Sequence, residues 1–578
     1  MNVLLIMVIS LVVLYLGYRF YARWIEKIFD VDEKNITPAV EIDDGVDYVP
    51  TRKFVVFGHH FASIAGGGPI VGPCVGLIFG FVPIWLWLLI GTIFIGAVHD
   101  FSALLASIRE KGQSMAELAE KTMGKTGFLL FIGFTIIMLL MVTSVFLTLT
   151  TTALSSKYPV TFFTSAQSLG IQTVVEKGIT YAVVGGIAST SVIIITLCSP
   201  IIGYLLYKKN INNIIMTIIA IAVCFISIQI GLAFPIKIDA MPWMVILSIY
   251  TIIAAGIPVW IILQPRDFTN SFLLYGGVTA MVVGIFIMGF KGATINAPAF
   301  NVSMGSMKLG YIWPILFITV ACGAISGFHS LVAGGTTSKQ ISKEKPDART
   351  VGYGGMVLEA ILALGVIIAI GVGLKFDKFC MLVFPVEAGI KSNPVLAFAL
   401  GMGGLLNKSV GLPVIYGSIF GILMVEGFVV TTLDTAVRLN RYLLEELWRM
   451  LFKKVPKILN TYLFNSFICV AFMFILAYFN AFKQLWKLFG AANQMLAALT
   501  LITVSLWLLK KGKKYMFALI PGIFMLITTV ASLIFLLIND YLPKGNYMLA
   551  AGDLVLILLS VGLIILAIKH YREKRKAA

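Results

Sequence analysis

The stretch GHHFASIAGGGPIVGP, Gly58 to Pro73, concentrates groups that can do chemistry. His60 titrates near neutrality and can carry a proton or pair with a carboxylate; a neutral, hydrogen-bonded structural histidine is the competing reading. Gly66, Gly67 and Gly68 tolerate positive φ and let the backbone approach a ligand closely. Pro69 removes a backbone donor and frees a carbonyl. An unwound stretch here would offer carbonyl oxygens of Ala65 and Gly66 to a cation. The helix starting near Pro69 would aim its positive end at a carboxylate. Ser63 lies one turn earlier. Helix packing through small residues is the plain alternative, but packing does not need three glycines before a proline. The run lacks the Gly-Lys-Ser/Thr ending of a phosphate-binding loop.

A second segment echoes the first: His60 precedes FASIAGGGP, and His329 precedes SLVAGGTTS. Thr336, Thr337 and Ser338 are hard oxygen donors suited to sodium, or else ordinary helix-capping hydroxyls. Intramembrane ionisable groups are expensive and functional by default. His99 and Asp100 sit late in an apolar run; with His59 and His60 they lack any diagnostic metal spacing. Arg266 and Asp267, in QPRD, bridge helices or clamp an anion, and with Asp100 they are the gate candidates. Glu359, Glu426 and Asp434 are open as proton relays or as partners of Lys or Arg. Glu387 and Lys391 are spaced to pair on one helical face. Asn493, beside Gln494 in FGAANQMLAALTL, either bonds backbone across helices or contacts a polar substrate. Nothing places a nucleophile, a base and an orienting group at recognisable spacing, so an enzyme is not expected.

These residues sit in a chain of 578, of which 59% are hydrophobic and only 12% charged. A soluble domain carries about twice that charge fraction. Apolar runs long enough to cross a bilayer recur from end to end. They predict an all-α polytopic membrane protein with about 15 transmembrane helices, from 2–22 to 549–569. The net charge of +17 falls mainly on one side of the alternating spans, the positive-inside pattern of a cytoplasmic membrane protein. It is no footprint for nucleic acid. The pattern puts the N-terminus outside and the C-terminus in the cytoplasm, with the first apolar segment a retained span. Residues 379–408, with two prolines and GMGG, break the alternation unless they form a re-entrant segment. TTLDTAVRLNRYLLEEL, 431–447, predicts a span continuing into a basic amphipathic helix along the inner surface. Three parts follow: 1–53, an N-terminal helix and loop; 54–435, a core with broken helices; and 436–578, the amphipathic helix and C-terminal spans. Six scattered cysteines form no CxxC pair, which argues against zinc or a disulfide framework.

Broken helices survive in a membrane only where they line a protected cavity, and secondary transporters build their sites from them. Six stretches carry a more specific signal: FGHHFASIAGGGPIVGP, AVHDFSALLASIREKGQSMAELA, PVWIILQPRDF, FHSLVAGGTTSKQI, TTLDTAVRLNRYLLEEL and LFGAANQMLAAL. In this order they resemble the carbon starvation protein CstA family. The resemblance implies uptake of peptides or pyruvate across the cytoplasmic membrane of a prokaryote under nutrient limitation. It also implies kinship to the amino acid–polyamine–organocation (APC) transporter superfamily, with a core of two inverted five-helix repeats. On that basis 54–81 is the first core helix, 241–264 the sixth and 311–336 the eighth, and the first pairs with the sixth rather than with the echo at His329. Thr336, Thr337 and Ser338 would then hold a sodium ion against Ala65 and Gly66. Proton coupling through His60, His329 or a buried carboxylate is the alternative. The expectation is a cation-coupled importer whose partners are a small-molecule substrate and the lipid bilayer, with no cofactor beyond a coupling sodium ion. A channel or a membrane nutrient sensor is the competing class.

Overall fold

Apolar runs bounded by Gly, Pro and polar clusters fold as helices almost throughout, as a bilayer requires of any chain that must satisfy its own backbone. The computed structural model describes residues 2–45, 47–160, 172–176, 178–209, 211–386, 392–479 and 482–577. In chain order the helices are α1 (Val3–Phe29), α2 (Lys53–Ala65), α3 (Gly68–Gly76), α4 (Phe81–Arg109), α5 (Met115–Leu154), α6 (Val184–Lys208), α7 (Asn213–Ala233), α8 (Ala240–Gly256) and α9 (Leu263–Phe290). There follow α10 (Ile312–Thr319), α11 (Phe328–Gly335), α12 (Arg349–Gly373), α13 (Phe376–Val383), α14 (Pro394–Val410), α15 (Val414–Leu451), α16 (Tyr462–Phe479), α17 (Phe482–Lys510), α18 (Met516–Tyr541) and α19 (Tyr547–Ala577). Thirteen helices among the described residues are long and apolar enough to cross a membrane. A small antiparallel sheet, β1 (Tyr158–Pro159), β2 (Thr173–Glu176) and β3 (Ile179–Ala182), follows α5, in the order β1-β3-β2.

The span 53–79, α12, α15 and α17 are covered on most sides, whereas α1, α7, α16, α18 and α19 expose most of their apolar surface. The first set forms the core and the second faces lipid. Two spans of the core are interrupted. Helix α2 stops where Gly66 takes φ 44° and ψ −156°, and α3 restarts at Gly68 with Pro69 in its first turn. Helices α10 and α11 are separated by non-helical residues 320–327. The two interruptions pack on each other. A Cβ at Gly68 would collide with Cys322, and one at Gly72 would come within 2.7 Å of the Thr319 carbonyl oxygen.

This pairing corrects one expectation. The break facing Gly66–Gly68 lies at 320–327, not in the segment 241–264. There α8 runs unbroken to Gly256, and α9 begins at Leu263. At 1.5 Å per residue, helices of 17 and 28 residues are too long to share one crossing of about 30 Å. The breakers of AAGIPVWIILQP therefore end one helix and start the next. Pro265 falls in the first turn of α9, where a missing N–H costs nothing.

The segment 376–410 behaves as a re-entrant pair. The Lys408 ammonium at the end of α14 donates to the Val372 carbonyl at the end of α12 (2.7 Å), so both ends of the segment meet. Glu387 and Lys391, read as a pair, lie outside the described residues. The run 431–447 is a second correction. It forms no separate surface helix but continues α15, and the boundary at 436 falls inside that helix. Asp434 and Asn440 are fully buried. Arg438 turns inward to the carbonyls of Ala254 (2.7 Å) and Ile257, closing the end of α8.

The close packing of the two breaks can be tested. Gly68→Ala should lower stability in detergent by about 1–3 kcal/mol, the cost of overpacking a filled core. Gly133→Ala on α5, where the added Cβ would meet nothing within 4 Å, should leave the melting temperature unchanged or raise it. Equal behaviour of the two variants would contradict the packing described.

Candidate functional site

The junction of the two breaks is held from outside by polar side chains. The Asn493 carboxamide on α17 accepts from the Phe328 backbone N–H (2.9 Å) and donates to Ser326 Oγ (2.9 Å). The Gly327 N–H donates to the Asn493 carbonyl (3.1 Å). From α4, Trp87 Nε1 donates to the Val320 carbonyl (3.1 Å) and the Thr92 hydroxyl to the Gly323 carbonyl (3.2 Å). Of the two roles open to Asn493, the structure places it in the backbone-bracing one.

On the first break, the Thr432 hydroxyl of α15 donates to the Ser63 carbonyl (3.2 Å) and lies 3.1 Å from where a Gly66 Cβ would sit. Phe146 and Leu149 of α5 and Val429 of α15 close over Gly66 and Gly67. Ala65 and Gly68 are buried with them. The hydroxyl opposite Ala65–Gly66 is therefore that of Thr432, not one of Thr336, Thr337 and Ser338. Thr336 donates back to the Val332 carbonyl (2.9 Å) and Ser338 to the Gly334 carbonyl (3.0 Å), the capping role expected of hydroxyls after a helix. Thr337 bonds His60 Nδ1 (2.8 Å) and so ties α2 to the end of α11. These three residues lie beyond the C-terminal end of α11, whereas the break lies at its other end. His60 Nε2 and Ser63 Oγ are buried without a partner among the described residues.

Two ionic clusters flank the junction. In the first, Asp100 on α4 receives two imidazoles, His99 Nδ1 at 2.8 Å and His329 Nδ1 at 2.8 Å. An ionised carboxylate can accept an N–H from each ring. His329 Nε2 then faces Glu359 of α12 at 3.3 Å. All four residues are fully buried. The second cluster centres on Arg266, 1% exposed near the start of α9. Its guanidinium contacts Asp434 Oδ2 at 2.6 Å and Oδ1 at 3.1 Å, Asp267 at 3.3 Å and Thr431 Oγ1 at 3.3 Å. Tyr250 of α8 donates to Asp434 (2.9 Å), and His59 Nδ1 contacts Asp267 (2.9 Å). This network joins α2, α8, α9 and α15. His59, His60 and His99 thus turn to three different partners and form no common metal site. Asp100 belongs to the first cluster and not with Arg266 and Asp267.

Sequence reasoning missed Thr432 and Tyr250 as site residues and left Glu359 and Asp434 unplaced. Thr432 stood in the TTLD run, where its hydroxyl could have been weighed against those after His329. Tyr250 had no signal, since one tyrosine in an apolar helix is unremarkable at the sequence level.

Taken together, these elements define a polytopic α-helical membrane protein whose core is built on two interrupted helices and two buried ionic clusters. The chain belongs to the carbon starvation protein CstA family, whose sequence profile matches residues 2–386 and 374–532. It is 30% identical over 628 residues to the peptide transporter CstA of Bacillus subtilis, covering 100% of this chain and 98% of that one. It is also 30% identical over 604 residues to the pyruvate/proton symporter BtsT of Escherichia coli, covering 92% and 81%. Among solved structures, a manganese transporter of Eremococcus coleocola aligns with TM-score 0.47 at 10% identity, over 92% of this chain and 99% of that one.

Removing one partner from a buried ion pair leaves the other charge uncompensated, at about 3–5 kcal/mol. Arg266→Gln should therefore sharply reduce folded yield and melting temperature. Adding Asp434→Asn should recover part of the loss, because contacting residues couple by about 0.5–3 kcal/mol. Size-exclusion profiles and thermal unfolding of the single and double variants in detergent read this directly. Strictly additive losses would contradict the network.

Proposed function

We propose that this protein is a secondary active transporter of a prokaryotic cytoplasmic membrane that imports a small carboxylate such as pyruvate, or a short peptide, under carbon limitation. Its N-terminus lies outside and its C-terminus in the cytoplasm. A proton or sodium gradient drives it. The observation that carries this reading is the meeting of two interrupted helices in a closed core, at Gly66–Gly68 and 320–327. The first turn of α3 presents the positive end of a helix to that junction, the polarity that attracts a carboxylate. His60 Nε2 and Ser63 Oγ are polar atoms left for a ligand. Relatives named as a peptide transporter and a pyruvate/proton symporter support the same class.

A channel needs a continuous polar path. Here Phe146, Leu149 and Val429 close over the glycines, which favours a site that opens alternately to the two sides by rocking of helix bundles. For sodium, the oxygens at hand are the Ser63 carbonyl and the Thr432 hydroxyl. Protons have the buried acid–histidine cluster.

The test is uptake of labelled pyruvate into proteoliposomes under an imposed proton or sodium gradient, with unlabelled di- and tripeptides as competitors. Saturable accumulation above the equilibrium level, collapsed by dissipating the gradient, is expected. Flux that only equilibrates and never saturates would contradict a carrier. Competition by peptides would assign the substrate class to them.

A further inference from the structure

We infer that the His329–Glu359 pair is the binding site of a coupling proton, an inference that rests on the transport reading above. His99 Nδ1 and His329 Nδ1 each lie 2.8 Å from an oxygen of the Asp100 carboxyl group, which leaves Nε2 as the His329 ring nitrogen that Asp100 does not engage. It faces Glu359 Oε2 at 3.3 Å, and Glu359 makes no hydrogen bond among the described residues. An imidazole fixed by one carboxylate and facing a second, otherwise unsatisfied one has two neighbouring protonation states of different charge. In one, imidazolium faces carboxylate. In the other, a proton from solution has formed an O–H bond on Glu359, and imidazolium faces a neutral acid.

The other titratable groups facing the pair are Asp100 and His99 from α4, His60 from α2 and Cys322 from the unwound segment. No Lys or Arg is among them. Glu359 therefore has no permanent cation to hold it ionised, whereas Asp267 and Asp434 both have Arg266. Glu426 is equally unsatisfied, but among the described residues it has no histidine within ion-pair distance.

The position gives the proton something to move. His329 lies in the first turn of α11, directly after the unwound segment that packs on Gly68. Glu359 lies on α12 and Asp100 on α4. Protonating Glu359 removes the charge attraction between α11 and α12 while the bond from α11 to Asp100 remains. The bound proton thus releases one of the ties that hold the half-helix bordering the substrate junction. A ligand can shift an equilibrium only through differential contact with its two states, and this tie is such a contact.

The experiment uses the full chain in proteoliposomes, with labelled pyruvate and a labelled dipeptide as probes. Counterflow exchanges substrate without net proton movement, while accumulation under a pH gradient requires it. Glu359→Gln should retain counterflow but lose gradient-driven accumulation to the level of empty vesicles, and its counterflow should no longer vary with pH. Glu426→Gln should remain coupled. Should Glu359→Gln not be recovered, Glu359→Asp supplies the test. It withdraws the carboxyl from His329 and should shift the pH profile of counterflow to higher pH. Normal proton-driven accumulation in Glu359→Gln, an unshifted profile in Glu359→Asp, or loss of coupling in Glu426→Gln alone would overturn the assignment. Wild-type accumulation driven by sodium alone would also overturn it while leaving the transport reading standing. Absence of wild-type transport of both probes under either gradient would remove that reading and this inference with it.

Discussion

The structure depends on one constraint: backbone polar groups exposed by two helix breaks must find partners where water is scarce. Each one left unpaired in an apolar surrounding costs several kcal/mol. The second break is met partly by its own backbone and partly by side chains of two neighbouring helices. Trp87 and Thr92 of α4 take carbonyls, and Asn493 of α17 takes the N–H of Phe328 and the hydroxyl of Ser326. The first break is braced more lightly, by Thr432 on the Ser63 carbonyl. The more lightly held break is the one with unpartnered polar atoms nearby, at His60 and Ser63.

Charge is handled by the same logic. A buried charge survives only when paired and hydrogen-bonded. Much of the core's charge is gathered into two clusters, one with the fixed cation Arg266 and one with histidines only. The first joins α2, α8, α9 and α15 around a guanidinium, which does not lose its proton. The second holds α4, α11 and α12 through groups whose charge can change. One cluster is thus suited to a permanent joint and the other to a switchable one. Both begin on α2 or on helices that touch it: His59 reaches Asp267, and the adjacent His60 reaches Thr337 at the far end of α11.

Much of this was legible in the sequence. Apolar run length predicts about 15 crossings because a bilayer imposes one length scale, and thirteen helices among the described residues are long and apolar enough for that role, the runs at 241–264 and 311–336 folding instead as shorter or interrupted helices. The Gly66–Gly68 break was legible because three glycines before a proline have few other uses. The partner break was not. Residues 320–327, VACGAISG, contain two glycines and no proline, whereas AAGIPVWIILQP carries Gly256, Pro258 and Pro265. Prolines mark where a helix cannot continue, not whether it resumes in the same direction, and here they mark a turn between crossings. The partners Thr337 of His60 and Asp100 of His329 were also out of reach, since each lies more than 200 positions away in the chain. The 431–447 run looked like a surface helix because its charges recur with helical spacing. In the fold Asp434 meets Tyr250 and Arg266, and Arg438 meets the end of α8.

The central claim is that substrate binds where the two breaks meet. Cys322 lies against Gly68 at that point, and a variant keeping it as the sole cysteine makes it a reporter. The rate of its alkylation by a small membrane-permeant maleimide should fall as transported substrate is added, with half-protection near the concentration that half-saturates uptake. Labelling that is indifferent to a substrate the same preparation transports would place the binding site elsewhere.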